Sequence, residues 1–421
     1  MPPNGGGTEI IMKRYPITYW YGIRPEFLSK ERLIEAQEAG FNLIECSYGT
    51  ETNKQVLRWC EELGLKANVG DPRIHKALAG EEGWEKALDD MIADYADYPA
   101  VNRFFMRDEP LDDYFPTLGR VADYLNTHDP AHGEYINLLP IHAVPPAEGE
   151  DFPTRYQRHI DGYFDVVHPT VLSYDHYNLK MVEVDSLDGK TPARVSPENI
   201  ARNGWEGKLF AEYTEPYYYD NLEIIRENAM KRGVEWMDII LLVEHWHYRW
   251  PTAPEVRWEA MTALAYGSSL ISYFTYWTPG TAHTEPWSYH NGIILSDGTR
   301  GEKYEIVKAI NADLQTLYNG ICGDGEMVSE AVYHVGGDPD VLTTPYAGHG
   351  KYAAIEGGNL VAGFFAGDKC MLVNKDFKQA ATVTVRADGK MEKLNKATGA
   401  WETCDGTFTI AAGDGELLRL V

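Results

Sequence analysis

Phe105-Met106-Arg107-Asp108-Glu109-Pro110 and Leu241-Leu242-Val243-Glu244-His245-Trp246 are the two stretches on which the fold turns. Each closes a short apolar run, and in each the run ends near a glutamate. Short apolar runs without strict alternation read as strands buried on both faces, as in a parallel sheet covered by helices. Working outward from the run at 101–106, similar runs recur at 17–21, 41–46, 65–69, 135–140, 171–177, 238–243 and 270–277. Helical stretches at 30–39, 52–63, 115–126, 154–164, 220–232, 254–265 and 303–317 lie between and after them, and another ends near Tyr98-Pro99. Gly40 and Gly64 stand where a left-handed residue closes a helix. Eight strands alternating with helices predict an α/β fold, a (β/α)8 TIM barrel over residues 10–322.

The periodicity changes past Gly320-Ile321-Cys322-Gly323. From about residue 325 short alternating runs are separated by Gly, Asp and Asn, which predicts a small antiparallel β-sandwich over 325–421. One stretch fits neither pattern. Residues 179–219 form a long insertion after the sixth strand, and such loops in compact domains are usually functional or disordered. Because it leaves the C-terminal end of its strand, it is expected to cap or wall the barrel mouth. Glu212 and Tyr213 within it are candidate substrate contacts.

The net charge of -26 repels phosphate backbones and anionic surfaces, which argues against nucleic-acid and membrane partners. No run approaches the ~20 apolar residues of a membrane span. Met1 to Thr8 lack the apolar stretch of a secretory signal. The expected location is therefore secreted or periplasmic through a removed signal, or otherwise cytoplasmic. Oligomeric state leaves no mark in the sequence. The five cysteines form no metal-ligand spacing; Cys46 and Cys60 read as buried thiols, and Cys370 and Cys404 are near enough to allow pairing. No phosphate-binding or dinucleotide fingerprint occurs, so no cofactor is expected.

The strand C-termini of such a barrel open onto the face that carries chemistry. A carboxylate pair there, among aromatics, is suited to breaking a glycosidic bond: one group protonates the leaving oxygen, the other attacks the anomeric carbon or activates water. Glu109 and Glu244 are the expected pair. Asp175, between Tyr174 and His176, is a third candidate for sugar binding or for pairing with Glu109. Asp71 and Glu45 are further rim carboxylates. The 27 Tyr, 11 Trp and 13 Phe suit a carbohydrate partner, because sugar C–H faces pack on aromatic planes. Trp20, Tyr21, Tyr177, Trp246 and Trp277 are expected on the active face, and Trp258 in the core. Trp236, Trp250 and Trp287 belong to the same tryptophan-rich region. His245 and His247 lie two apart, but no third ligand has matching spacing, so hydroxyl binding is favoured over a metal.

Arg107-Asp108-Glu109-Pro110, Asp129-Pro130 with Ile136-Asn137-Leu138-Leu139-Pro140, Leu172-Ser173-Tyr174-Asp175-His176-Tyr177, and Ser272-Tyr273-Phe274-Thr275-Tyr276-Trp277 occur in order along the chain. Together they resemble clan A glycoside hydrolases, and in particular family 42-like barrels. The resemblance implies an acid/base Glu109 at strand four, a nucleophile Glu244 at strand seven, and a retaining double displacement on galactosides or arabinosides. It also implies Asn before the acid/base, where this chain has Asp108, a group that only accepts when ionised. A catalytically silent carbohydrate-binding barrel is the second reading; a barrel aldolase or lyase, from another class, would need a lysine or metal at a strand end, and neither stands out.

Overall fold

The computed structural model describes residues 14–279, 289–337 and 340–421. Met1 to Thr8 and Trp287 lie outside them. Eight parallel strands form one sheet: Ile17–Trp20, Leu43–Cys46, Lys66–Val69, Val101–Asp108, Glu134–Leu138, Val171–Asp175, Glu235–Leu241 and Leu270–Phe274. From the second to the eighth each pairs with the next in sequence, and the first pairs with the eighth. The remaining seam, between strands one and two, carries no regular ladder. Asn42 bridges it: its Oδ1 accepts from the Ile17 N–H at 2.9 Å and its Nδ2 donates to the Tyr15 carbonyl at 2.8 Å. The sheet is thus a nearly closed TIM barrel.

Leu43, Tyr135, Val171, Met237, Ile239 and Leu270 fill its interior, and Trp20, Phe105, Tyr177 and Phe274 pack on that layer. The helices around it close as the glycines foretell, with Gly64 left-handed at the end of Thr50–Leu63. Between strands three and four the chain makes two helices, Pro72–Ala79 and Trp84–Tyr95, broken at the left-handed Gly80 and Gly83. Asp71, expected at the rim, caps the first of them from a buried position and pairs with Arg73.

After helix Lys303–Cys322 the described residues form nine strands in two antiparallel sheets of six and three. Val383, Leu360, Leu372 and Ile410 are among the residues that close their shared core. This sandwich lies directly against the barrel. A Cβ at Gly363 would stand 1.9 Å from the Ala265 carbonyl, so the sheet and helix Ala253–Ala265 touch through a glycine. Cys370 and Cys404 are separate thiols without a bridge.

The insertion is structured. Leu179–Val184 and Leu209–Thr214 form an antiparallel hairpin around a short helix, Pro197–Asn203. Met181 and Arg249 N–H groups donate to the His247 and Leu179 carbonyls, which ties the hairpin to the loop after strand seven.

Candidate active site

The C-terminal ends of the strands open into a cleft of about 450 Å³. Six strands or their following loops contribute: Trp20 and Tyr21 from the first, Asp108 and Glu109 from the fourth, Asn137 from the fifth, Asp175 and Tyr177 from the sixth, Ile239 and His245 from the seventh, and Phe274 from the eighth. Tyr248 and Tyr289 complete an aromatic wall in which His245 stacks on Tyr248 at 4.6 Å and stands 4.8 Å from Tyr289. Tyr177 lies 5.2 Å from Phe274.

Strand four delivers its carboxylates through an irregularity. Its register against strand five shifts between Phe105 and Arg107, a bulge that re-aims the residues beyond it. Glu109 then adopts a left-handed backbone, φ 47°, fixed by an N–H bond to the Asn137 carbonyl at 2.8 Å. A non-glycine residue held there costs roughly 1–3 kcal/mol, and such strain collects where function needs a side chain aimed. Arg107 points away, over the Tyr114 ring.

Two carboxylates meet at one amide, and a third, Glu109, is near enough to interact with both through its charge. Asn137 Nδ2 donates to Asp175 Oδ1 at 2.8 Å and to Asp108 Oδ1 at 3.1 Å, while Ser173 Oγ donates to Asn137 Oδ1 at 3.0 Å and sets the amide's orientation. Asp108 therefore acts as an acceptor at the position where the resemblance implies an Asn. Like charges this close favour retained protons. Glu109 is open to the cleft on one side but crowded by protein on the others, and desolvation followed by the Asp108 charge pushes its carboxyl up to about 7. Asp175, buried at the strand end, is pushed well above the usual carboxylate range by burial, then by Glu109 and Asp108, against the Asn137 bond. Desolvation also raises Asp108, opposed by Asn137 and Arg107.

Glu244 is elsewhere. Strand seven ends at Leu241, and Glu244-His245 form a two-residue antiparallel ladder with Tyr289–His290. Successive residues of a strand face opposite ways, so with His245 in the cleft wall Glu244 faces away from it. Its side chain is 0% exposed. Oε1 accepts from the Ser196 N–H at 2.7 Å and Asn199 Nδ2 at 3.1 Å, and Oε2 from Asn291 Nδ2 at 3.3 Å. The expectation that Glu109 and Glu244 face one cleft is thus corrected: the insertion's helix has taken Glu244 as its anchor.

Of the remaining expected contacts, Trp20, Tyr177, His245, Asp108 and Asp175 line the cleft. Three do not. Trp246 packs on Met181, Trp205 and Phe210 under the insertion. Trp277 is fully buried, 4.9 Å from Phe27 and beneath Arg32. Glu212 pairs with Lys378 of the sandwich at 2.6 Å. The insertion accordingly backs the cleft wall through the 245–250 loop, and none of its residues lines the cleft. His247 packs on Trp205 and Trp246, apart from the His245 ring stack. Asn137, His142, Tyr248 and Tyr289 are cleft residues the sequence reading passed over. Asn137, a polar residue near the end of a strand, carried a usable signal; the two tyrosines come from loops without periodicity.

No family model matches the chain, and no curated protein does. Among solved structures it is similar to a family 39 glycoside hydrolase from Bacteroides cellulosilyticus WH2, with 12% identity, TM-score 0.50, and coverage of 97% of this chain and 81% of that one. It is similar also to Eubacterium rectale Amy13B, with 10% identity, TM-score 0.50, and coverage of 98% and 96%. At these identities the likeness is one of fold, and it extends over nearly the whole of this chain.

Proposed function

We propose that the protein is a glycoside hydrolase whose catalytic pair is Glu109 and Asp175. The observation that carries the reading is the meeting of these two carboxylates in one aromatic-walled cleft at the strand C-termini. Hydrolysis of a glycoside needs a proton at the leaving oxygen and a carboxylate at the anomeric carbon or its attacking water. Glu109 faces the open side and keeps a proton near neutral pH, which suits the acid. Burial and then the charges of Glu109 and Asp108 raise Asp175 as well, so the two groups titrate as an interacting pair; the member that ionises serves as base or nucleophile, and the Asn137 N–H favours Asp175 in that state. The aromatic wall offers surfaces for sugar C–H faces. The fold shared with a family 39 glycoside hydrolase is consistent with this reading and says nothing of the sugar.

The alternative pair, Glu109 with Glu244 in a retaining mechanism, rests on strand-end position. It requires Glu244 to leave the donors from Ser196, Asn199 and Asn291. Screening aryl glycosides of several sugars in both anomers tests the activity, and NMR of the first-formed product anomer distinguishes retention from inversion. Absence of turnover across the screen, with sugars still bound, would instead support a carbohydrate-binding barrel.

A further inference from the structure

A second cavity, about 440 Å³, adjoins the first and shares Trp20 and Tyr21 with it. Its inner wall comes from strand two and the loop after it, Glu45, Ser47 and Tyr48, and from Phe105 of strand four. We infer that this cavity is a second glycosyl subsite, which takes the sugar unit next to the one held over Glu109, so that the substrate is a neutral glycan of at least two units. The inference rests on the hydrolase reading above.

The two spaces are of nearly equal size, and an aromatic ridge divides them. Tyr21 is 42% exposed on that ridge, in a left-handed conformation with φ 55°. Trp20 beside it is held edge-on by Phe105 at 5.2 Å. Exposed, fixed aromatic planes of this kind match the apolar faces of sugars. The polar equipment is half used. Glu45 Oε1 accepts from Asn68 Nδ2 at 3.0 Å, and Asn68 Oδ1 in turn accepts from Asn102 Nδ2 at 2.9 Å. Glu45 Oε2 and the Ser47 hydroxyl make no hydrogen bond among the described residues, although both residues line the cavity.

Burial pushes the Glu45 carboxyl up to about 8, against the Asn68 bond, so at neutral pH it carries a proton and can donate as well as accept. The titratable groups around it, Tyr19, Cys46, Tyr48 and Tyr135, are all pushed up by burial and stay neutral with it. Charge selects the sugar class. Among the described residues lining the two cavities Arg24 is the sole arginine or lysine, and it is paired with Glu26 at 2.5 Å. His142 and His245 are pushed down to about 4 and about 3 by desolvation. A uronic acid would meet five acidic side chains, Asp108, Glu109 and Asp175 in one cavity and Glu26 and Glu45 in the other, and no free cation among the described lining residues.

The test compares kcat/KM for 4-nitrophenyl glucoside, galactoside, xyloside, mannoside and arabinoside with the matching biosides, in wild type, Glu45→Ala and Glu45→Gln. Calorimetry of the free bioses with Glu109→Gln and with Glu109→Gln/Glu45→Ala runs beside it. A wild-type preference for a bioside is expected, and the bioside-to-monoglycoside ratio should fall about tenfold in Glu45→Ala, the worth of one or two hydrogen bonds. In wild type the ratio should also fall as pH rises past about 8, whereas Glu45→Gln should hold it. Biose binding that weakens with Glu45→Ala, without any turnover, would uphold the subsite and remove the hydrolase. Turnover of monoglycosides with no bioside preference, or a preference indifferent to Glu45, would overturn the subsite and leave the hydrolase standing. No biose bound and no glycoside cleaved would overturn both.

Discussion

Asn137 does for this cleft what a single rigid donor can do among like charges. With its amide oriented by Ser173, it supplies N–H groups to Asp108 and Asp175 and so holds two carboxylates at fixed places beside a third. The protons these groups retain follow from that crowding, and they give the account a pH signature. Because the Glu109 carboxyl is raised to about 7, the protonated acid is available below that pH and lost above it. The limb of kcat/KM on the alkaline side should therefore lie near pH 7. Asp108→Asn removes the charge that helps to raise Glu109, so the same limb should move to lower pH. A pH profile of the two proteins checks this, and an unmoved limb would mean that Asp108 does not act on the acid. At this scale the sequence was half legible. Glu109 and Asp175 stand out as acids at the ends of apolar runs, whereas the role of Asn137 depends on which neighbours the strands bring to it.

Glu244 shows why an element can mislead when read one residue at a time. The apolar run 238–243 continues past the true strand end at Leu241, because Leu242 and Val243 both donate to the Phe274 carbonyl before the chain turns into its two-residue ladder. Beyond that turn, pleat alternation decides which of Glu244 and His245 faces the cleft, and it chooses the histidine. The insertion was legible as a long segment and nothing more, since its hairpin pairs locally and its helix has seven residues. The eight barrel strands, by contrast, were legible within a few residues, because each is defined by burial on both faces. Glu244→Ala should expose the cost of the insertion's anchor. It would leave the Ser196 N–H and the Asn199 and Asn291 amides without their acceptor, and urea unfolding should show a loss of about 2–4 kcal/mol. A loss under about 0.5 kcal/mol would show the cage to be dispensable.

Across the whole molecule, acids are also buried where the strands meet the surrounding helices. Asp238, on strand seven, is raised to about 7 by burial, with the nearby Tyr174 hydroxyl opposing the shift. Glu259, on helix Ala253–Ala265, is raised well above the carboxylate range by burial and by Asp238, and both its oxygens are buried without a hydrogen bond. A carboxyl raised on folding contributes stability that is fully present below its unfolded pKa and is lost as pH rises through its folded one. Asp238 alone is then worth on the order of 4 kcal/mol between about pH 4 and pH 7. Asp71, Glu255 and Asp414 are lowered by their Arg and Lys partners although burial opposes it, and they act in the opposite sense, losing their contribution as pH falls. Thermal unfolding should therefore be most favourable to the fold between these limits, and Asp238→Asn should flatten the decline from pH 5 to pH 8. An unchanged slope would place the decline on other groups. The central claim concerns which second carboxylate works with Glu109, and turnover of one aryl glycoside with a poor leaving group by Asp175→Asn and Glu244→Gln tests it most directly. The account predicts that kcat falls by about 10²-fold or more in Asp175→Asn and within tenfold in Glu244→Gln. Near-wild-type turnover in Asp175→Asn, with turnover abolished in a folded Glu244→Gln, would contradict it.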